Sequence, residues 1–530
     1  MKRRLSQKTT DVFNMSFAVI FGALCVIAGV GGMAAVAIYG ELGTEYPMPV
    51  TITVLRFLAM IFCFFGVAAM FIGFGRFLMS DKCGRLARKL NGNSVIFSCI
   101  GLMLAIQLVF ALCMQMNPIT DIKNLDSYAK TIVTENSFDC LDSPLNNHYI
   151  IRYQNNIVLL LIYTAVYKLT YLITGTFTRV PLIILNTVAI NGAVLITVLT
   201  SRRLFGGRKA MLTLMMCALF TPYYTYTPYF YTDSFSIPFV AGTAYVFVRA
   251  VQSGSHAKKL WLFLLSGALC LLGFEIKASV AILLPAMLIY LPLRFGLRRA
   301  VKAGAAVLLS FCLLFASCSI ALKSASLISE ESSDKYQFPA AHWVMMGLKD
   351  LGAFNFDDSD FSKSFDTKAE RQQAELEEIQ KRISEKGALG MVTHLIKKAT
   401  WTYMDGTYYI ANYLEKYQHY TPLHSLVLYE GELRFPFFAY SFGFQFSLIA
   451  FMALSAFYSR RRHERGVTTM FRIAVIGMFL FFLIWETNAR YPFNFTPLYM
   501  LIATEGVFCF AAGKNHRTIN SRQSNLLIDL

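Results

Sequence analysis

Charged side chains are scarce in this chain. They make up 15% of its 530 residues, against about 25% in an ordinary soluble protein, while 55% are hydrophobic. That balance points to lipid as the solvent. Also missing are a Walker loop, a Rossmann glycine fingerprint, an HExxH helix and a nucleophile elbow, so chemistry driven by cytoplasmic nucleotide has no support. The 11 cysteines form neither a CxxC metal pattern nor a disulfide framework. Most lie inside apolar runs, as Cys25, Cys63, Cys270 and Cys312 do, where a thiol behaves as a small hydrophobe. No internal repeat and no low-complexity tract is present.

What the chain has in quantity is long apolar runs. Segments of spanning length, about 20 residues each, occur near 13–39, 51–78, 94–115, 155–173, 181–200, 210–229, 234–251, 260–276, 278–293, 300–321, 436–457, 468–485 and 491–512. The backbone polar groups of each run must be satisfied within it, so helices are the default. The first run is too long for a signal-peptide core and predicts a retained helix. The formal net charge of +17 is carried mostly in short clusters between runs: Lys2 to Arg4, Lys82 to Lys89, Arg202 to Lys209, Lys258 and Lys259, Arg294 to Lys302, Arg460 to Arg465, and the tail with Lys514 and Arg517. The positive-inside rule assigns these to the cytoplasm, which argues against nucleic acid as a partner.

Thirteen crossings from a cytoplasmic N-terminus would leave the tail outside, so one run is not a simple crossing. Between 155–173 and 181–200, the first is the better candidate for an interfacial or re-entrant segment. Its Tyr153, Asn155, Asn156, Tyr163, Tyr167, Lys168 and Tyr171 suit a membrane surface. The expected fold is therefore an all-α polytopic membrane protein of about 12 spanning helices with an α-rich external segment. Four regions follow: 1–93, an extra hairpin and basic loop; 94–321, a transmembrane core with a first external loop at 116–150; 322–435, an external soluble domain with about half of all acidic residues; and 436–530, the last helices and tail. Within the third, Thr367 to Lys386 reads as a solvated surface helix.

Ionisable groups at the edge of lipid are costly and need a partner, water or a task. Asp121 follows an apolar run and would serve equally as a helix N-cap. Arg152, with Tyr153, Asn155 and Asn156, brings a cation and amides to the entrance of a run. That set suits a phosphate group, though interfacial anchoring explains it as well. Tyr231 and Asp233 close an aromatic segment that reads either as a belt ending in a cap or as a sugar platform. Lys277 either pairs with Glu275 or reaches toward an anion. Glu486 and Arg490 stand four apart, the spacing of a helical ion pair, but Pro492 opposes a continuous helix. His342 and Trp343 lie in an apolar stretch, Phe338 to Gly347, where a lone histidine is more often structural.

Taken in order, these segments resemble the GT-C superfamily of membrane glycosyltransferases, in a bacterial branch related to aminoarabinose transferases and protein O-mannosyltransferases. The likeness rests on Asp121 with Tyr128 and Ala129, Arg152-Tyr-Gln-Asn-Asn, Arg202-Arg-Leu-Phe-Gly, Tyr231-Thr-Asp233, Phe338 to Gly347, Asp405-Gly-Thr, and Glu486 to Tyr491, between about Val95 and Ala512. The sequence departs from that pattern in the added pair at 13–78 and in Gln154, where a proline is expected.

The resemblance implies transfer of a sugar from a polyprenyl-phosphate donor to a cell-envelope glycan, lipid or protein, at the extracytoplasmic face of a bacterial plasma membrane. It implies Asp121 as general base, with Asp126 as the fallback. Arg152, Lys277 and Arg490 would face the leaving phosphate, and Asp233 would position sugar or acceptor. Glu486, Tyr153, Asn156, Tyr231, His342 and Trp343 complete the candidate substrate-binding set. Metal dependence is left open, with a divalent cation, magnesium or manganese, as the candidate. A multi-pass transporter or lipid flippase, a polysaccharide polymerase or ligase, and a non-catalytic assembly subunit are the rival readings.

Overall fold

The computed structural model describes residues 2–39, 50–80, 93–462 and 466–512. The basic loop at Lys82 to Lys89, part of the Arg460 to Arg465 cluster, and the tail lie outside them. Among the described residues every regular element is a helix, and the one pairing of extended chain is an isolated bridge between Met116 and Tyr417. The chain is an all-α polytopic membrane protein, with 11 helices among the described residues long and apolar enough to cross a membrane.

The long helices are α1 (Lys2–Tyr39), α2 (Val50–Met79), α3 (Asn93–Cys113), α4 (Thr120–Glu135), α5 (Ile157–Thr174), α6 (Val180–Phe205), α7 (Gly207–Leu219) and α8 (Ile237–Gln252). They continue with α9 (His256–Ile276), α10 (Leu283–Phe295), α11 (Leu297–Ser324), α12 (Lys368–Met404), α13 (Arg434–Arg462), α14 (Thr468–Ile484) and α15 (Thr496–Ala511). Lipid tails are as apolar as leucine, so these helices associate through close packing and buried polar contacts. At Gly506 a Cβ would lie 1.9 Å from the carbonyl oxygen of Phe451, so only glycine lets α15 approach α13 this closely. The added hairpin is built into the bundle: α1 and α2 both pack on α13, and α1 also meets α12.

Cross-contacts fix the two ends of the bundle. At one, Arg202 of α6 donates to Asn93 at the start of α3, Lys209 lies over the ring of Phe508, and Lys259 lies over Phe295. This end collects the basic clusters. At the other, Arg179 before α6 donates to the carbonyl of Met116 beyond α3, at 2.8 Å.

Helix α5 both starts and ends at that second end. Tyr167 on α5 donates to Asp126 on α4, and Lys168 donates to Asn136 just past α4 at 3.0 Å. The two helices lie side by side, while Leu169, Leu172 and Ile173 of α5 are exposed. Both ends of α5 therefore lie at one end of the bundle, although its length and composition would let it cross a membrane. Asp126 also bonds Lys130 one turn on, at 2.7 Å. Its two contacts fasten α4 to α5 and brace its own turn.

The apolar run at 210–229 is not one helix. After α7 the chain turns repeatedly through Pro222 and Pro228, where continuous helix would lose backbone bonds. Buried amides from neighbouring helices take up the freed carbonyls, the condition for irregular backbone at membrane depth. Asn186 donates to the carbonyls of Tyr226, Thr227 and Tyr229 at 2.9, 3.0 and 3.2 Å, and Gln107 donates to that of Tyr223 at 2.9 Å.

Between α11 and α13 the chain forms short helices at Glu330–Tyr336, Ala340–Gly347 and Phe356–Lys363, then α12. Thr367 caps α12 by accepting from the amide of Glu370 at 3.2 Å. The expected surface helix is only its first half. Gly387, at φ 58°, breaks the rod, and the second half turns onto α1 and α14.

Candidate functional site

Four of the charged residues singled out in the sequence meet at the second end of the bundle, on a single guanidinium. Arg490 Nη2 lies 3.6 Å from Asp121 Oδ2, and its Nε lies 3.5 Å from Asp233 Oδ2. Its Nη1 donates to the Tyr229 hydroxyl at 2.7 Å, and its plane sits 5.0–5.4 Å from the rings of Tyr231, Tyr413 and Tyr491. Asp233 also binds Lys277 Nζ at 2.5 Å, and that ammonium lies 4.5 Å from the Tyr491 ring. Each arrives from a different element: the first turn of α4, the turn before α8, the gap between α9 and α10, and the loop before α15.

Asp121 is not an N-cap. The residue at that position is Ile119, and no side chain caps the helix. Instead, the carboxylate accepts from Tyr149 at 3.0 Å and from Tyr231 at 2.9 Å. Burial and the Asp121 charge hold both phenols far above their ordinary pKa, so they act as donors. Asn156 braces the pair by donating to Tyr149 at 2.8 Å and to Tyr231 at 3.5 Å. The Asp121 side chain is 31% exposed and Asp233 is 0% exposed. Only the first of these carboxylates presents a surface to an incoming molecule. Asp233 likewise caps nothing with its carboxylate; it holds two cations.

Glu486 does not pair with Arg490 through a helix, because the chain from Trp485 to Arg490 is not helical. It accepts from Tyr491 at 2.8 and 3.1 Å, and burial pushes its carboxyl up to about 7 against the pull of Tyr491, Arg490, Lys277 and Lys398. Its backbone amide donates to the carbonyl of Trp343 at 2.9 Å, which ties Ala340–Gly347 to the last loop. Lys398 of α12, lowered to about 8 by burial, donates to the Gly347 and Leu483 carbonyls at 2.7 and 3.2 Å and locks the same junction. Trp343 stands between Tyr153 and Trp485, with ring centres 5.7 and 6.3 Å away.

Two candidates fall elsewhere. Arg152 turns away from the carboxylates and donates twice to Asn147, through the carbonyl and, at 3.2 Å, the side chain. Its tyrosine neighbours Tyr149 and Tyr153 face the cluster; it faces the segment beyond α11. His342 is fully buried, 2.7 Å from the Ser362 hydroxyl, which donates to Glu375 at 2.7 Å. It is a core histidine, as its apolar setting suggests. Gln154 replaces the expected proline with a contact: its amide donates to Ser333 at 2.9 Å. Asp405-Gly-Thr builds a turn, the carboxylate accepting from Thr407 N, Thr407 Oγ1 and Tyr409 N at 2.7, 2.7 and 2.8 Å. It holds Tyr408 and Tyr409 at positive φ just before Tyr413.

A family model described as "conserved hypothetical integral membrane protein" matches residues 9–507. The chain belongs to that family. Its membership makes the cluster a feature of an integral membrane protein and assigns no reaction. No curated protein matches the chain. Among solved structures, it is similar to a crystal structure of ArnT from Cupriavidus metallidurans bound to undecaprenyl phosphate, at 12% identity over 78% of each chain, with a TM-score of 0.33. That score carries no argument about the site.

Sequence reasoning missed Tyr149, Tyr229, Tyr413 and Tyr491. Tyr149 adjoins a segment singled out in the sequence, while Tyr229 and Tyr491 lie within two of them without a role assigned. Tyr413 has no local signal, because it reaches Arg490 only through the turn at Asp405. A divalent cation does not fit these side chains. Asp121 already faces Arg490, Asp233 faces both Lys277 and Arg490, and among the described residues no group of three or more His, Cys, Asp or Glu side chains gathers.

Proposed function

We propose that this chain is a membrane glycosyltransferase that moves a sugar from a polyprenyl-phosphate donor to a cell-envelope acceptor at the outer face of a bacterial plasma membrane. The observation that supports it is the meeting of an accessible carboxylate, Asp121, with Arg490 at the end of the bundle opposite the basic clusters. For this reaction base and phosphate-binding cations have to line one pocket, on opposite faces of the transferred sugar. The outward placement follows from the charge rule.

In this reading the acceptor hydroxyl gives its proton to Asp121 as its oxygen bonds to the anomeric carbon. The bond from that carbon to the phosphate oxygen breaks, and its electron pair leaves with the polyprenyl phosphate, with inversion. Tyr149 and Tyr231 occupy two of the roughly four lone-pair sites of Asp121 and aim it. Arg490 and Lys277 face the charge growing on the phosphate. Lys277 keeps donor capacity beyond its contact with Asp233. Asp233 is a positioning residue that holds the two cations in register.

The test uses purified protein in liposomes, a panel of radiolabelled polyprenyl-phosphate hexoses and pentoses, and cell-envelope extract as the acceptor pool. Wild type is expected to release free polyprenyl phosphate from at least one donor. Asp121→Asn, correctly inserted, should lower that rate by roughly 100-fold or more. Full activity in Asp121→Asn removes it as the base, and release from no donor sinks the reading.

A further inference from the structure

The contacts of Arg152 open a second question, independent of the transfer reaction. A cavity of about 60 Å³ lies where the first loop meets the segment beyond α11, lined by Arg152, Lys335, Lys363, Arg371, Asp366 and the rings of Tyr336, Phe338 and Phe365. Four cations and one carboxylate face it. Among the described residues, neither Arg152, Lys335 nor Arg371 has a carboxylate within ion-pair distance, while Lys363 reaches Asp360 at 2.7 Å.

The cations differ in what they have left to give. Arg371 is spent: its guanidinium donates to the carbonyls of Ser362, Gln337, Lys335 and Phe365 and holds the wall in place. Arg152 is held on one side only, by Asn147, and its plane lies 5.9 Å from the Phe338 ring. The chain there is strained. Asn146, Asn147 and His148 all sit at positive φ, at 48°, 56° and 56°, which non-glycine residues adopt only when their surroundings impose it. That turn stacks His148 on Tyr336, at 3.8 Å between ring centres, and aims Arg152 into the cavity. The volume holds a few waters or one tetrahedral oxyanion.

We infer that this cavity is a binding site for a phosphate-type oxyanion, carried either by a soluble or polymeric ligand or by a lipid headgroup, and read by Arg152, Lys335 and Lys363. It is separate from the Arg490 cluster, so its occupancy does not require donor turnover.

Titration calorimetry of the full chain in maltoside micelles at fixed ionic strength, with inorganic phosphate as the probe, tests this. Arg152→Gln should weaken binding roughly tenfold, and Lys335→Gln, at an exposed residue whose loss leaves the fold intact, roughly threefold. Doping the micelles with phosphatidylglycerol separates the sources: competition with phosphate identifies a lipid headgroup, and lack of it a soluble or polymeric phosphate. Binding that survives both Arg152→Gln and Lys335→Gln overturns the assignment, as does no binding by wild type. Failure here leaves the donor-release assay untouched, and the converse holds.

Discussion

Asp233 gives the sharpest energetic test of the charge cluster. Its carboxylate is fully buried, 2.5 Å from Lys277 and 3.5 Å from Arg490. Asp233→Asn keeps the shape and one acceptor for Lys277 but leaves two cations facing a neutral amide. Breaking a buried ion pair from one side costs about 3–5 kcal/mol, mostly the penalty of an uncompensated charge. Lys277→Met breaks the same contact from the other side, and its 12% exposure leaves the desolvation largely intact. The double variant removes both charges, so its loss should fall short of the summed single losses by about 2 kcal/mol or more. Reversible SDS unfolding in mixed micelles measures all three. If the losses add to within about 0.5 kcal/mol, the two groups do not interact and the geometry described for the cluster is wrong.

Two further outcomes follow from contacts outside the carboxylate pair. Glu486 titrates near 7 in the folded chain against 4.5 for an ordinary glutamate, so its stabilising contribution is complete below about 4.5 and gone above about 7. That window is worth roughly 3 kcal/mol. In Glu486→Gln the fall in stability across it should flatten, and an unchanged pH profile would show that Glu486 is solvated. At Gly406 a Cβ would lie 2.2 Å from the Ser441 carbonyl oxygen, so Gly406→Ala should shift the turn that carries Tyr413 and destabilise the protein by about 1–3 kcal/mol. A variant as stable as wild type would place α13 farther from that turn.

The spans were legible because apolar length is a property of contiguous residues. Where the run at 210–229 misled, Pro222 and Pro228 were the warning, and the compensating Asn186 and Gln107 lie in helices whose proximity no local pattern shows. The tyrosines and Lys168 of α5, at odds with its apolar length, are the groups that fasten it to α4 and its neighbours. The same cost argument that marked Asp121, Asp233, Lys277 and Arg490 as unusual could not pair them, since Arg490 meets partners more than 250 residues away. Arg152 shows the limit of reading charge beside an apolar run. Its direction is set by Asn147 and a left-handed turn, and a sequence shows neither.

The dependence of the cluster on its last member bears on how the protein is made. Asp121 and Asp233 leave the ribosome early and enter the membrane long before Arg490 exists. Tyr413 then arrives with the segment between α11 and α13, and the guanidinium comes only with the loop before α15. Until then Asp233 has Lys277 alone, and Asp121 has its two tyrosines. A nascent chain stalled ahead of that loop would carry both carboxylates without the one guanidinium that faces them both.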